Sequence, residues 1–111
     1  MNIKTIFEKI KKIGLPIVYG SFSKKPENLE YITITAKSSE FSGSDNGKAI
    51  IETLQIDINL YTKSKKIDLE YQILELIMSE NDISRTENFI ADENIFENTF
   101  SFSTTNKLYK E

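Results

Sequence analysis

Apolar residues at the start of the chain recur at spacings of three and four: Ile3, Ile6, Phe7, Ile10 and Ile13, with Lys4, Glu8, Lys9, Lys11 and Lys12 between them. One apolar stripe on a charged background predicts an amphipathic helix over 3–13, with Asn2 as its N-cap. Gly14-Leu15-Pro16 ends it, since glycine suits the position after a helix and proline cannot continue one. A short strand over 17–20 follows, then a polar loop over 21–28. Residues 30–37 alternate, with Ile32, Ile34 and Ala36 on one side and Tyr31, Thr33 and Thr35 on the other, which predicts a half-buried strand. The small polar run over 38–48 reads as a loop.

The clearest pattern spans 49–62. Ile50, Leu54, Ile56, Ile58 and Leu60 share one parity, and Ile51, Thr53, Gln55, Asp57, Asn59 and Tyr61 share the other, so a long strand with one buried face is expected. Glu52 falls on the apolar parity, which points to a strand end, a bulge or a contact beyond the core. A second helix over 67–78 carries Ile67, Tyr71, Leu74, Ile77 and Met78 as a stripe flanked by Leu69, Ile73 and Leu76. After a polar break over 79–86, Phe89-Ile90-Ala91 and residues 96–103 read as hairpin arms across Asp92-Glu93-Asn94. Phe96, Asn98, Phe100 and Phe102 share a parity there, and residues from about 106 to 111 read as a loose tail. The predicted fold is a single α+β domain over 1–111, in the order α-β-β-β-α-β-β. Its sheet is mostly antiparallel, with two helices packed on one face.

Composition narrows the chemistry. The 111 residues include no cysteine, histidine or tryptophan, and 14 basic against 17 acidic side chains give a formal charge of −3. Disulfides, thiolate metal sites, Cys nucleophiles and histidine bases are excluded, and with them the usual hydrolase triads. The N-terminal residues place charges inside the apolar pattern, unlike a secretory signal. Apolar runs such as Ile17-Val18-Tyr19 and Leu76-Ile77-Met78 fall far short of the roughly 20 residues of a membrane-spanning helix, so no membrane partner is expected.

Three constellations invite chemistry, and each has a plainer explanation. Asp45, Glu52 and Asp57 offer hard oxygen ligands of the kind magnesium takes, but nothing in their spacing fixes a geometry. Gly43-Ser44-Asp45-Asn46-Gly47-Lys48 superficially resembles a phosphate-cradling loop. Its glycines are one residue too close, Ala49 stands where the metal-binding hydroxyl belongs, and a strand follows instead of a helix. The lysines at 9, 11 and 12, at 24 and 25, and at 63, 65 and 66 suit phosphates, yet acidic residues outnumber them and no aromatic stacking platform accompanies them. Catalytic, cofactor and metal roles are accordingly assigned to no residue. Phe41 stands out as a large apolar side chain in a polar stretch. Either it anchors a partner or the loop folds back and buries it, for about 2 kcal/mol.

Pro16-Ile17-Val18-Tyr19 after a first helix, Tyr31-Ile32-Thr33-Ile34 as the next strand, Phe41 to Asn46 before a long strand, and Ile58-Asn59-Leu60-Tyr61-Thr62-Lys63 leading into Asp68-Leu69-Glu70 form a familiar order. The arrangement, over roughly residues 3–103, resembles the tail completion proteins of long-tailed bacteriophages, also called tail-to-head joining or tail terminator proteins. It departs from that pattern at Leu29-Glu30-Tyr31, where relatives often carry proline before the tyrosine. The resemblance implies a non-enzymatic virion protein that forms a ring, usually of six, at the head-proximal end of the tail tube. Its expected partners are the tail tube protein, the head connector or stopper protein and further copies of itself, with DNA passing through the lumen without specific binding. Expected interface residues are Phe41, Ser44, Asp45 and Asn46 in the loop and Gln55, Asp57, Asn59 and Tyr61 on the polar strand face.

A compact domain of this length has a radius of gyration of about 13 Å, and six such spheres in a ring leave a hole one sphere wide, about 34 Å. An acidic wall would let DNA slide, and the 38–48 segment is expected to act as a mobile arm that orders on assembly. A head-completion protein, or a small monomeric binding module of the inhibitor or antitoxin kind, is the alternative.

Overall fold

The computed structural model describes residues 3–20, 30–43 and 49–109. The fold is mixed α+β, with two helices and a mostly antiparallel sheet. In chain order the elements are α1 (Ile3–Lys11), β1 (Ile17–Tyr19), β2 (Tyr31–Gly43), β3 (Ala49–Thr62), α2 (Ile67–Ile77), β4 (Asn81–Ile90) and β5 (Ile95–Tyr109). The five strands lie in the order β1-β2-β3-β5-β4. Strand β1 is parallel to β2, and every other neighbouring pair is antiparallel.

The alternation in β3 decides which face is buried. Its even positions, Leu54, Ile56, Ile58 and Leu60, join Ile32 and Ile34 of β2 and Phe100 and Phe102 of β5 in one core with Ile6 and Ile10 of α1 and Ile73 and Ile77 of α2. Both helices therefore cover the same side of the sheet. The odd positions of β3 form an open face, where Gln55 and Asp57 are exposed and Asn59 and Tyr61 are partly covered.

Helix α1 ends at Lys11, two residues before the predicted end. Backbone bonds from Ile13 N to Ile10 O (3.0 Å) and Gly14 N to Lys11 O (3.2 Å) close its last turn. Gly14 has φ +95°, a conformation that side chains disfavour, which explains a glycine there. The proposed cap Asn2, the 21–28 loop and residues 44–48 lie outside the described residues.

Three segments read as loop, break or tail are strand. Residues 38–43 continue β2, paired with β3 as far as Gly43↔Ile50. Residues 81–86 belong to β4, and 106–109 complete β5 up to Ala49↔Tyr109, while 110 and 111 lie outside the described residues. Most residues of these segments are polar for a shared physical reason. Strand β4 is a sheet edge with a single neighbour that sets Ile83 against the core, and the distal ends of β2, β3 and β5 run past the last core residues, so neither needs a continuous buried apolar side. The result is an elongated molecule, 53 × 27 × 24 Å with a radius of gyration of 15.7 Å, rather than the sphere expected from its length.

The register shifts by one residue between Ser38 and Glu40, which bring Ser38 opposite Leu54 and Glu40 opposite Thr53. A one-residue slip exchanges the two faces of every following position. It places Phe41 opposite Glu52, on the helix side of the sheet. Glu52 thus keeps the apolar parity noted in the sequence but sits on the overhanging arm. In β4 a comparable shift between Asn81 and Ser84 contains Asp82, at φ 55°, and the 91–94 turn into β5 contains Asn94, at φ 58°.

Helix α2 is rotated from its predicted setting. It buries Glu70, Ile73 and Ile77, whereas Ile67, Tyr71 and Met78 of the predicted stripe are exposed, Tyr71 to 58% and Met78 to 73%. No described helix is long and apolar enough to cross a membrane.

Candidate assembly surfaces

The expected interface residues separate onto two faces. Gln55, Asp57, Asn59 and Tyr61 alternate along β3 and project from the open face, because each is an odd position between buried even ones. Each is engaged across the sheet. Gln55 Nε2 donates to Ser103 Oγ at 2.7 Å, and Ser101 Oγ donates to Asp57 Oδ1 at 2.6 Å. Asn59 bridges both neighbours: its amide donates to Thr33 Oγ1 at 3.0 Å and accepts from Thr99 Oγ1 at 2.8 Å. The Tyr61 ring stacks on Tyr31 with centroids 4.5 Å apart. Burial, then hydrogen bonding to Glu97, raises the Tyr61 phenol well above its ordinary value, so it stays a neutral donor. Rows of polar side chains that satisfy one another make a stiff, wet surface suited to polar or water-mediated contact.

Phe41 lies on the other side. It is 60% exposed on the arm, with Ile50, 47% exposed, near it across β2 and β3. The alternative that Phe41 folds back into its own core does not hold. Ser44, Asp45 and Asn46, and with them most of the phosphate-loop motif, lie outside the described residues.

The imagined carboxylate cluster is not assembled. Glu52 and Asp57 differ in parity on one strand and point to opposite faces of the sheet, and Asp45 lies outside the described residues. Among the described residues no group of three or more metal-ligating acids exists.

Sequence reasoning missed a charged cluster under the start of α2. Glu70 is only 1% exposed, and its Oε1 accepts from Lys65 Nζ at 2.8 Å and Arg85 Nη2 at 2.7 Å. Lys65 also reaches Glu87 on β4. Lys63 N and the Lys66 ammonium approach Glu30 at 3.1 and 3.9 Å, tying the β3–α2 junction to the residue before β2. Thr62 and Asn98 are buried as well, and among the described residues the hydroxyl of the first, both amide atoms of the second and Glu70 Oε2 have no partner at hydrogen-bonding distance. Two signals pointed here. Positions 70, 73 and 77 have helical spacing with the only charge at 70, and the chain's single arginine is Arg85.

The pairings act on both ionised groups. Lys65 is held above its ordinary value, chiefly by its bond to Glu70 and then by Glu87. Glu87 is held below its ordinary value, chiefly by Lys65, and the Asn98 amide favours the charged form from short of full hydrogen-bonding geometry. The Glu87 contribution is therefore present above the ordinary glutamate range and lost as pH falls through its lowered value, while that of Lys65 is lost only as pH rises through its raised value. Replacing Glu87 with glutamine is expected to flatten the acid side of the stability profile, read as thermal midpoints from about pH 7 to about pH 3. An unchanged slope would assign acid sensitivity to other carboxylates.

Compared with known proteins, the chain matches no family model, and no curated protein sequence matches it.

Proposed function

We propose that the protein is a non-enzymatic assembly adaptor, a ring-forming tail terminator that caps the tail tube of a long-tailed phage and joins it to the head connector. The observation that carries this reading is the arm, where β2, β3 and β5 outrun both helices and hold Phe41 and Ile50 in solvent. Stacking large apolar side chains on an uncovered sheet is costly for a monomer and useful at an interface. The self-satisfied polar face and the net negative charge suit a surface that passes DNA without holding it. Six copies touching along the 27 Å dimension would enclose a hole of about that width.

Mixing the purified chain with tail tubes and imaging the pellet tests this directly. Density at one tube end, with further growth arrested, is the expected result. Phe41→Ser is expected to lower end binding about tenfold, in keeping with the loss of one buried aromatic anchor, while leaving the thermal midpoint nearly unchanged because Phe41 packs outside the core. A monomer that ignores tubes at every concentration would instead favour the single-partner binding module.

A further inference from the structure

The two flanks of the helical layer are complementary. On α2, residues 67, 71, 74 and 78 fall at spacings of four, three and four, the period of one helix stripe. Ile67, Tyr71 and Met78 are exposed and Leu74 is partly so, and Tyr71, Leu74, Glu75 and Met78 line a shallow groove. This stripe faces away from α1, because the residues that line the cleft between the helices are Gln72, Glu75 and Leu76 on α2 with Lys9, Lys12 and Ile13 on α1. The solvent rim of the stripe is acidic, carrying Asp68 and Glu75. Of the cations nearest its Asp68 end, Lys65 and Arg85 are held by Glu70, with Lys65 also on Glu87, and Lys66 lies beside Glu30; at the other end Glu75 also borders the cleft that Lys9 and Lys12 line.

The opposite flank has the converse character. On the side of α1 turned from α2, Phe7 and the exposed Tyr19 of β1 line a second groove with Lys4, Glu8 and Lys11. Two lysines against one glutamate leave this rim positive. Lys4 and Lys11 are seven residues apart on α1, and Asp68 and Glu75 are seven residues apart on α2. Two helical turns separate each pair, about 10 Å in both cases, so the two charges of one rim match the two of the other in spacing and are opposite to them in sign.

We propose that Ile67, Tyr71, Leu74 and Met78 of one copy seat against Phe7 and Tyr19 of a second copy, with Asp68 and Glu75 meeting Lys4 and Lys11. The occupant is another copy of this chain because both halves of the match, apolar and ionic, are present on one molecule, at opposite flanks of one layer. Different patches meet, so the contact is head-to-tail, and repetition by a rotation gives a ring or an open filament. This deepens the assembly reading and rests on it, since it names the surfaces by which copies would join.

The chain contains no cysteine, so single thiols report contacts without background. Tyr71→Cys protein mixed with Tyr19→Cys protein is expected to give a cross-linked dimer with a short dithiol reagent, and either variant alone only traces. Lys4→Glu with Lys11→Glu is expected to reduce that yield about tenfold through like-charge repulsion, as is Asp68→Lys with Glu75→Lys. Mixing the two charge-reversed proteins restores it, because each supplies the sign the other lacks. Yields no higher than for an open-face pair such as Thr35→Cys with Tyr71→Cys would overturn the proposal, as would dominant dimers of Tyr71→Cys alone. Thermal midpoints of all variants show that each is folded. Cross-linking without tube capping would retain this contact and discard the tail role, while capping by both charge-reversed proteins would do the reverse.

Discussion

Removing both cations that hold Glu70, by Lys65→Met together with Arg85→Met, is expected to cost about 3–5 kcal/mol, the loss typical when a buried charge is stripped of its partners. The carboxylate is 1% exposed, and among the described residues its second oxygen already lacks a partner, so the variant leaves a charge without a counter-charge where water reaches it poorly. Urea unfolding should report the loss as a lower midpoint with an unchanged slope. Adding Glu70→Leu to the same protein is expected to recover most of it, since an apolar side chain needs no counter-charge there. A double variant as stable as the parent would mean that Glu70 does not depend on these two cations.

Phe100→Ala is the second large effect, at about 3–5 kcal/mol. Phe100 is fully buried on β5, opposite Ile58 of β3 on one side and Arg85 of β4 on the other. Truncation removes the apolar bridge between the core and the floor of the charged cluster, and the surrounding β-branched side chains, fixed in their rotamers, are slow to fill the space. Against a total stability of about 5–15 kcal/mol for a domain, the variant is expected to melt far below the parent. Little change in the midpoint would show that β5 repacks.

The elements that sequence made legible are those whose burial is one-sided and complete. Strand β3 declares itself because Leu54, Ile56, Ile58 and Leu60 must be apolar to meet two helices, while Gln55, Asp57 and Asn59 need only meet water and the polar side chains of the neighbouring strands. Strand β4 carries no such record, since an edge strand has one neighbour and this one puts little more than Ile83 against the core, and its first residues, Asn81 to Thr86, therefore read as part of a polar break. Helix α2 holds two apolar stripes, one through Ile73 and Ile77 and one through Ile67, Tyr71 and Met78. Periodicity does not rank them; packing against the sheet selects the one that includes Glu70. The polar face at Gln55, Asp57, Asn59 and Tyr61 follows from parity, whereas the side on which Phe41 lies depends on the register slip after Ser38, which has no glycine to announce it.

The strand order also governs when the sheet can close. Strand β3 pairs with β2 across a short connection, but its other neighbour is β5, so Thr62 meets Phe96 and Ala49 meets Tyr109 only after α2 and β4 have been made. During synthesis the emerging chain offers α1, β1, β2 and β3 with one hydrogen-bonding edge of β3 unpaired, a condition that contacts distant in sequence relieve slowly. Nascent chains halted before β5 should engage holding chaperones and yield to protease, and release of the complete chain should end both at once.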